Sequence, residues 1–291
     1  PGGTLYLYDG DPLSQNFGNL IMTIPSPNPD VLSNFGAKLE WSKKNILVGA
    51  DVDTPDGTDA GKVYLYNADP VSANFGSLMH TFKNPSPDEL YDFFGHEVTC
   101  VGNFIAISAV YDDTEASNAG AVYLFDGDLQ SPNFGNLQYT LYPKRDQENL
   151  YYGRQLTSIL GNYLAVYARE GIDSPQNAAF DIYNLDPQSP SFGAVLQIVG
   201  HPNVNNVGFG TEIISRDGDL IVSDPSYGRI GGAVFSWMVN GEASLEQVGP
   251  SVLINGGAAY TSTADVTLDL RIWDEWTETS AIQMSFSTDG M

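Results

Sequence analysis

The chain has 291 residues, 36 acidic and 12 basic, for a net charge of −24. So negative a surface repels phosphate backbones and anionic bilayers, which excludes nucleic acid as a partner and favours cations or partners with basic patches. Hydrophobic residues make up 42% of the sequence, and Tyr, Phe, Leu, Ile and Val recur in short regular runs, which excludes intrinsic disorder.

No apolar run reaches the roughly 18–20 residues that span a bilayer, so no membrane insertion is expected. Cys100 is the single cysteine. An internal disulfide is therefore impossible, and its setting, Val98-Thr99-Cys100-Val101, reads as that of a small buried apolar residue. The chain opens Pro1-Gly2-Gly3 without an initiator Met and reads as a piece of something longer.

The first expected element, Thr4-Leu5-Tyr6-Leu7-Tyr8, returns as Lys62–Tyr66 and Ala121–Phe125, and more weakly as Ala179–Tyr183 and Ala233–Trp237. The intervals from Tyr6 through Tyr64, Tyr123 and Asp181 to Phe235 are 58, 59, 58 and 54 residues. Two further markers keep the same step. One is Asn16-Phe17-Gly18, Asn74-Phe75-Gly76, Asn133-Phe134-Gly135 and Ser191-Phe192-Gly193; the other is Phe35-Gly36, Phe94-Gly95, Tyr152-Gly153 and Phe209-Gly210. Three markers in one register define a tandem repeat.

Each unit reads as four short strands, in the second complete copy near Gly95–Val101, Phe104–Ala109, Ala121–Phe125 and Leu137–Leu141. Strand two is apolar on both faces (Ile46-Leu47-Val48, Ile105-Ala106-Ile107), as sheets stacked face to face require. The expected fold is all-β: a β-propeller, or a large arc of one, over residues 1–248, built of half a blade and four full repeats. The half blade is completed either by strand exchange with the C-terminal segment or by blades outside this chain. Beyond Pro250 the register is lost. Asp265–Ile272 and Ile282–Ser287 alternate as half-exposed strands do, so residues 249–291 read as a linker and a partial segment that resembles the opening strands of a bacterial immunoglobulin-like domain.

The succession Phe94-Gly95-His96-Glu97-Val98, Phe104–Ala109, Asp112-Asp113 and Ala119–Phe125 resembles the FG-GAP repeat, which builds the blades of the integrin α-subunit head and occurs in secreted and surface proteins of bacteria. The resemblance covers roughly residues 3–248. It lacks a clear Gly-Ala-Pro, with Gly49-Ala50-Asp51 and Ser223-Asp224-Pro225 as partial matches, and adds an outer hairpin carrying Asn-Phe-Gly.

Chemistry is expected between strands two and three. Asp51, Asp53, Asp56 and Asp59 in the first loop, and Asp112, Asp113, Glu115 and Asn118 in the second, offer the clustered oxygens that calcium takes. FG-GAP blades often carry such a loop, so the resemblance implies calcium as cofactor; turn formation by Asp, Asn and Gly is the other reading. The third and fourth loops have too few acids. The phrase Asp9-Gly10-Asp11-Pro12, recurring at Asn67, Asp126 and Asn184, reads as a turn whose acid caps nearby amides, with the Phe of Asn-Phe-Gly tucked beneath the blade. The innermost strand opens with Ala37, His96, Arg154 and Thr211 in successive copies, followed by Lys38, Glu97, Gln155 and Glu212. His96 and Arg154 are thus candidate ligand-binding residues, as are Trp273 and Trp276. Tyr151-Tyr152 offers aromatic surface of the same kind, with Tyr152 at a core marker. No nucleophile elbow, phosphate-binding glycine loop or zinc spacing is present.

The resulting expectation is a non-enzymatic adhesion, binding or structural surface-assembly module, calcium-stabilised and extracellular or at the cell surface. Its partners are a protein or polysaccharide of a cell or matrix surface, or further copies of itself. The alternative is a polysaccharide lyase-like enzyme acting on acidic polysaccharide near the propeller axis.

Overall fold

The computed structural model describes residues 2–30, 32–53, 60–86, 91–143, 148–168, 179–200, 209–216, 218–224, 233–240, 244–254, 265–272 and 280–287. It divides into two compact units, Pro1–Arg154 and Gln155–Met291.

Unit 1 opens with β1 (Thr4–Tyr8) paired to β2 (Leu20–Pro25). A four-stranded antiparallel sheet follows in chain order: β3 (Lys38–Ser42), β4 (Asn45–Ala50), β5 (Lys62–Asn67) and β6 (Leu78–Lys83). A second has the same order: β7 (Phe94–Val101), β8 (Phe104–Ala109), β9 (Ala121–Asp126) and β10 (Leu137–Leu141). Unit 2 holds the sheet β11 (Leu156–Ile159), β12 (Tyr163–Ala168), β13 (Ala179–Asn184), β14 (Val195–Gly200). Its other sheet has six strands: β15 (Ile213–Arg216), β16 (Asp219–Asp224), β17 (Ala233–Asn240), β18 (Ser244–Ile254), β19 (Asp265–Ile272) and β20 (Ser280–Ser287).

The fold is all-β and propeller-like, a succession of four-stranded antiparallel sheets in the register of the sequence repeat. The strands expected in the second complete copy are β7–β10, displaced by at most one residue at an end. The tail behaves in its own way. Strand β18 runs through residue 249, and β19 pairs with it at Val252↔Leu270 and Ile254↔Leu268. The segment read as the start of an immunoglobulin-like domain thus adds an outer hairpin to the sheet of β15–β18.

Strand β4 shows why the sheets stack. All six of its residues are buried. Ile46 and Val48 enter a core with Leu5, Ile24, Phe35, Tyr64 and Tyr66, whereas Leu47 enters another with Val63, Leu65, Phe82, Phe94, Val98 and Ile107. Successive side chains of a strand point to opposite faces, so one strand serves two cores. In unit 2, Tyr167, Phe180 and Ile182 of one sheet pack with Ile213, Leu220 and Val222 of the other. In β1, the first described strand, the same position is bare: Tyr6 is 55% exposed and its counterpart Tyr64 is 3% exposed.

The outer turn is built four times to one plan. The acid or amide opening it, Asp9, Asn67, Asp126 or Asn184, accepts from the amide two residues on at 2.9–3.0 Å and bonds the Ser five residues on. The turn closes where the amides of Gly18, Gly76, Gly135 and Gly193 donate to the carbonyls of the same four residues at 2.7–2.8 Å. These glycines lie at φ from 75° to 79°, which disfavours any side chain. Of the Asn-Phe-Gly phenylalanines, Phe134 tucks in as expected, its ring 5.3 Å from His80 and 6.4 Å from Phe82 of the preceding sheet, whereas Phe17 is 59% exposed.

Leu65→Ala, in the core between the two four-stranded sheets of unit 1, is expected to cost about 2–5 kcal/mol in a denaturant titration. Leu13→Ala, at a side chain 92% exposed, is expected to change stability by less than about 0.5 kcal/mol.

Candidate functional site

The first acidic loop leaves the buried end of β4. Asp51 accepts from Asn34 Nδ2 at 3.0 Å and lies 3.2 Å from His96 Nδ1. Asp53, wholly buried, faces other partners. Asn28 Nδ2 donates to its two oxygens at 2.8 and 3.0 Å, the Tyr64 hydroxyl donates to Oδ2, and Lys62 Nζ lies 3.4 Å from Oδ1. A carboxylate without water is tolerated only with such donors. Asp56 and Asp59 lie outside the described residues, as do Trp273 and Trp276 and most of the third and fourth loops.

The second loop repeats the plan. Asp112 is buried, takes the Tyr123 hydroxyl and accepts from the Thr114 amide at 2.9 Å. Asp113 accepts from the Asn118 amide, and Asn118, at φ 51°, donates through Nδ2 to Asn149 at 3.0 Å. Glu115 is exposed. Among the described residues, no group of three or more His, Cys, Asp and Glu side chains is placed to hold a metal ion. Asp51, Asp53, Asp112 and Asp113 are thus engaged with protein donors.

Tyr64 and Tyr123 are residues that sequence reasoning passed over as apolar strand positions. Each hydroxyl is held well above the ordinary range, first by burial and then by its aspartate. The signal was present: Asp53 precedes Tyr64 and Asp112 precedes Tyr123 by the same 11 residues. The connections between sheets take part too, since Asn28 donates to Tyr64 at 3.1 Å and Ser86 lies 3.3 Å from the Tyr123 hydroxyl.

At the opening of the innermost strands, His96 is engaged by Asp51, while Glu97 is buried and paired with Lys38 of the preceding sheet. Arg154 is exposed and closes a turn with Tyr151, its amide 3.1 Å from that carbonyl. Beside it lies an aromatic step the sequence did not reveal: Phe93 and Tyr111 have ring centroids 5.0 Å apart, Tyr111 and Tyr151 5.2 Å. Tyr152 is core, as expected. Thr211 and Glu212 belong to unit 2. Burial pushes the half-buried Cys100 thiol up to about 11, so it stays protonated near neutrality and is a poor nucleophile.

Residues 86–125 match the family described as the FG-GAP repeat. Among solved structures, the chain resembles the β-propeller domain of the Trilobed protease from Pyrococcus furiosus at 8% identity and a TM-score of 0.44, over 89% of this chain and 71% of that one. It resembles a hypothetical selenium-binding protein from Sulfolobus tokodaii at 12% identity and a TM-score of 0.48, over 99% and 71%. For an exo-β-1,3-galactanase from Phanerochaete chrysosporium the identity is 10% and the TM-score 0.38, over 88% and 60%. No curated protein matches the sequence.

Tyr64→Phe removes one donor to a buried carboxylate and is expected to cost about 1–3 kcal/mol. A tyrosine held above its unfolded value of 10.0 stabilises fully below that pH. As pH rises past it, the unfolded chain releases the proton first and stability falls. Urea midpoints at about pH 9 and about pH 11 should therefore diverge for the native chain and diverge less for the Tyr64→Phe, Tyr123→Phe double variant.

Proposed function

We propose that this chain is a non-enzymatic extracellular module that binds a polysaccharide of a cell or matrix surface. The observation that carries this reading is the step of Phe93, Tyr111 and Tyr151 next to the exposed Arg154. Aromatic faces stack on sugar rings, and an exposed guanidinium donates to sugar hydroxyls. The surroundings favour holding over turnover. The buried carboxylates Asp53 and Asp112 are tied to tyrosine, asparagine and lysine within the fold. The extracellular setting rests on the FG-GAP match over residues 86–125, since such repeats typically occur in extracellular proteins. Among the described residues no helix is long and apolar enough to cross a membrane.

Calcium belongs to the same proposal. The donors are all oxygen, as that cation requires. Asp51, Asp56 and Asp59 would supply the first loop, and Asp53 would have to release Asn28, Tyr64 and Lys62 to join them. Asp112, Asp113, Glu115 and Asn118 would supply the second. Calcium at a hundredfold excess over its dissociation constant adds about 2.7 kcal/mol, which raises the melting temperature by several degrees. Melting curves with calcium and with chelator check this, and coincident curves remove the cation from the account.

The polysaccharide reading is tested by retention on an immobilised neutral polysaccharide. Tyr111→Ala and Arg154→Ala are each expected to weaken retention roughly tenfold without altering the melting temperature. The rival, a lyase, predicts release of unsaturated uronate that His96→Ala abolishes. Such turnover by the native chain would replace the binding reading.

A further inference from the structure

Lys62 and Asn28 meet on one buried carboxylate. Asn28 Nδ2 lies 2.8 Å from Asp53 Oδ1 and 3.0 Å from Oδ2, and Lys62 Nζ lies 3.4 Å from the same Oδ1. The Tyr64 hydroxyl donates to Oδ2 and accepts from Asn28 Nδ2 at 3.1 Å, which holds the amide in place. The Asp53 side chain is wholly buried and that of Lys62 is 15% exposed. A lysine amine, a carboxamide and a carboxylate thus share one site, and a single oxygen bridges the amine and the amide nitrogen.

The repeat shows that the fold does not require this trio. At the place of Lys62, which pairs with Ala50, the later sheets hold Ala121, Ala179 and Ala233. At the place of Asn28 the next connection holds Ser86, 3.3 Å from the Tyr123 hydroxyl. The aspartate and the tyrosine recur as Asp112 and Tyr123, so that pair belongs to the fold. The amine and the amide depart together: among the described residues they share a carboxylate only here. Lysine is rarely so buried, and the chain has only 12 basic residues from which to place one.

We propose that Lys62 and Asn28 join in an isopeptide cross-link, with Asp53 as the proton carrier. The Nζ lone pair attacks Asn28 Cγ, the Cγ–Nδ2 bond breaks, and its electron pair leaves with the nitrogen. Lys62 enters as an ammonium with three protons and ends as an amide with one. Asp53 takes the other two in turn and passes them to Nδ2, which departs as ammonium. Atoms and charge balance, Asp53 is regenerated, and no oxidant or metal takes part. Holding both reactants on one carboxylate supplies the proximity and the proton transfer that the displacement needs. The burial of Asp53 and Lys62 keeps water, the competing nucleophile, away from the new bond. The cross-link ties the connection after β2 to β5, so the first two strands cannot part from the sheet that follows them.

The test is the intact mass of the full folded chain, held in chelator so that no cation competes for Asp53. The chain is expected to be lighter than its sequence by one ammonia, and a digest should contain one branched peptide joining Lys62 to Asn28. Lys62→Arg keeps the positive charge but cannot form the bond, and Asn28→Ser installs the residue of the next repeat. Each should restore the full mass and abolish the branched peptide. Asp53→Asn, which removes the proton carrier, should slow closure at least roughly a hundredfold. The Lys62→Arg and Asn28→Ser results stand by themselves if that buried substitution prevents folding. A native chain that keeps its full mass after prolonged incubation would overturn the proposal and leave an ordinary ion pair. So would loss of water in place of ammonia, which makes Asp53 the acyl partner, and so would loss of ammonia that Lys62→Arg retains, which places it at another asparagine.

Discussion

Each central strand divides its two faces between two cores, and the rest of the molecule follows from that division. In β4, Ile46 and Val48 face one way and Leu47 the other, so both sides are dry. A sheet of four strands has too little apolar area to stand alone, and its neighbours supply the missing layer. Stability in such an array is the sum of weak units and strong interfaces between them. The glycines of the Phe-Gly markers belong to this logic: a Cβ on Gly95 would lie 2.7 Å from the Lys62 carbonyl oxygen, so the close approach of neighbouring sheets admits no side chain there.

Burial on both faces creates a polar problem at the strand ends, where the amides and carboxylates of the turns need partners. Two devices answer it. At the outer end, the Asp or Asn and Ser of each turn satisfy the local amides, so the turn is complete within itself. At the inner end, a buried aspartate and a strand tyrosine from the same sheet join, with Asn28 or Ser86 reaching in from the connection between sheets. That second device ties the loop to the sheet with protein donors. A cation at the first loop competes with Tyr64, Asn28 and Lys62 for Asp53 and adds to order already present.

The repeat was legible because three markers hold one register, and the strands followed because Val, Ile and Tyr runs lie between Gly and Asn turns. The outer turn was legible in its acid and its Phe, but the Ser five residues on carries half of its side-chain bonding and was not singled out. The Tyr–Asp pairing was hidden by composition: a tyrosine within an apolar strand looks like core, and its hydroxyl partner lies 11 residues back in a loop. Asn28 was beyond reach, because its target belongs to the next repeat. The tail shows a different limit. Alternation in Asp265–Ile272 specifies a half-exposed strand and says nothing of which sheet it joins, so an added outer hairpin and the start of a separate sandwich read alike.

In an array of this kind, what recurs and what departs carry different information. Asp9, Asn67, Asp126 and Asn184 make the same bonds in four places, and a role needed four times is a role in the fold. Function belongs where equivalent positions part company. His96 stands where the earlier copy has Ala37 and the later one Arg154, and the aromatic step at Tyr111 and Tyr151 sits within that same stretch. Leu39 and Trp41 depart in exposure while keeping the apolar character of Val98 and Cys100. The difference follows from what stands before each sheet among the described residues: the β3–β4 hairpin covers Val98, whereas β1 and β2 alone stand before β3.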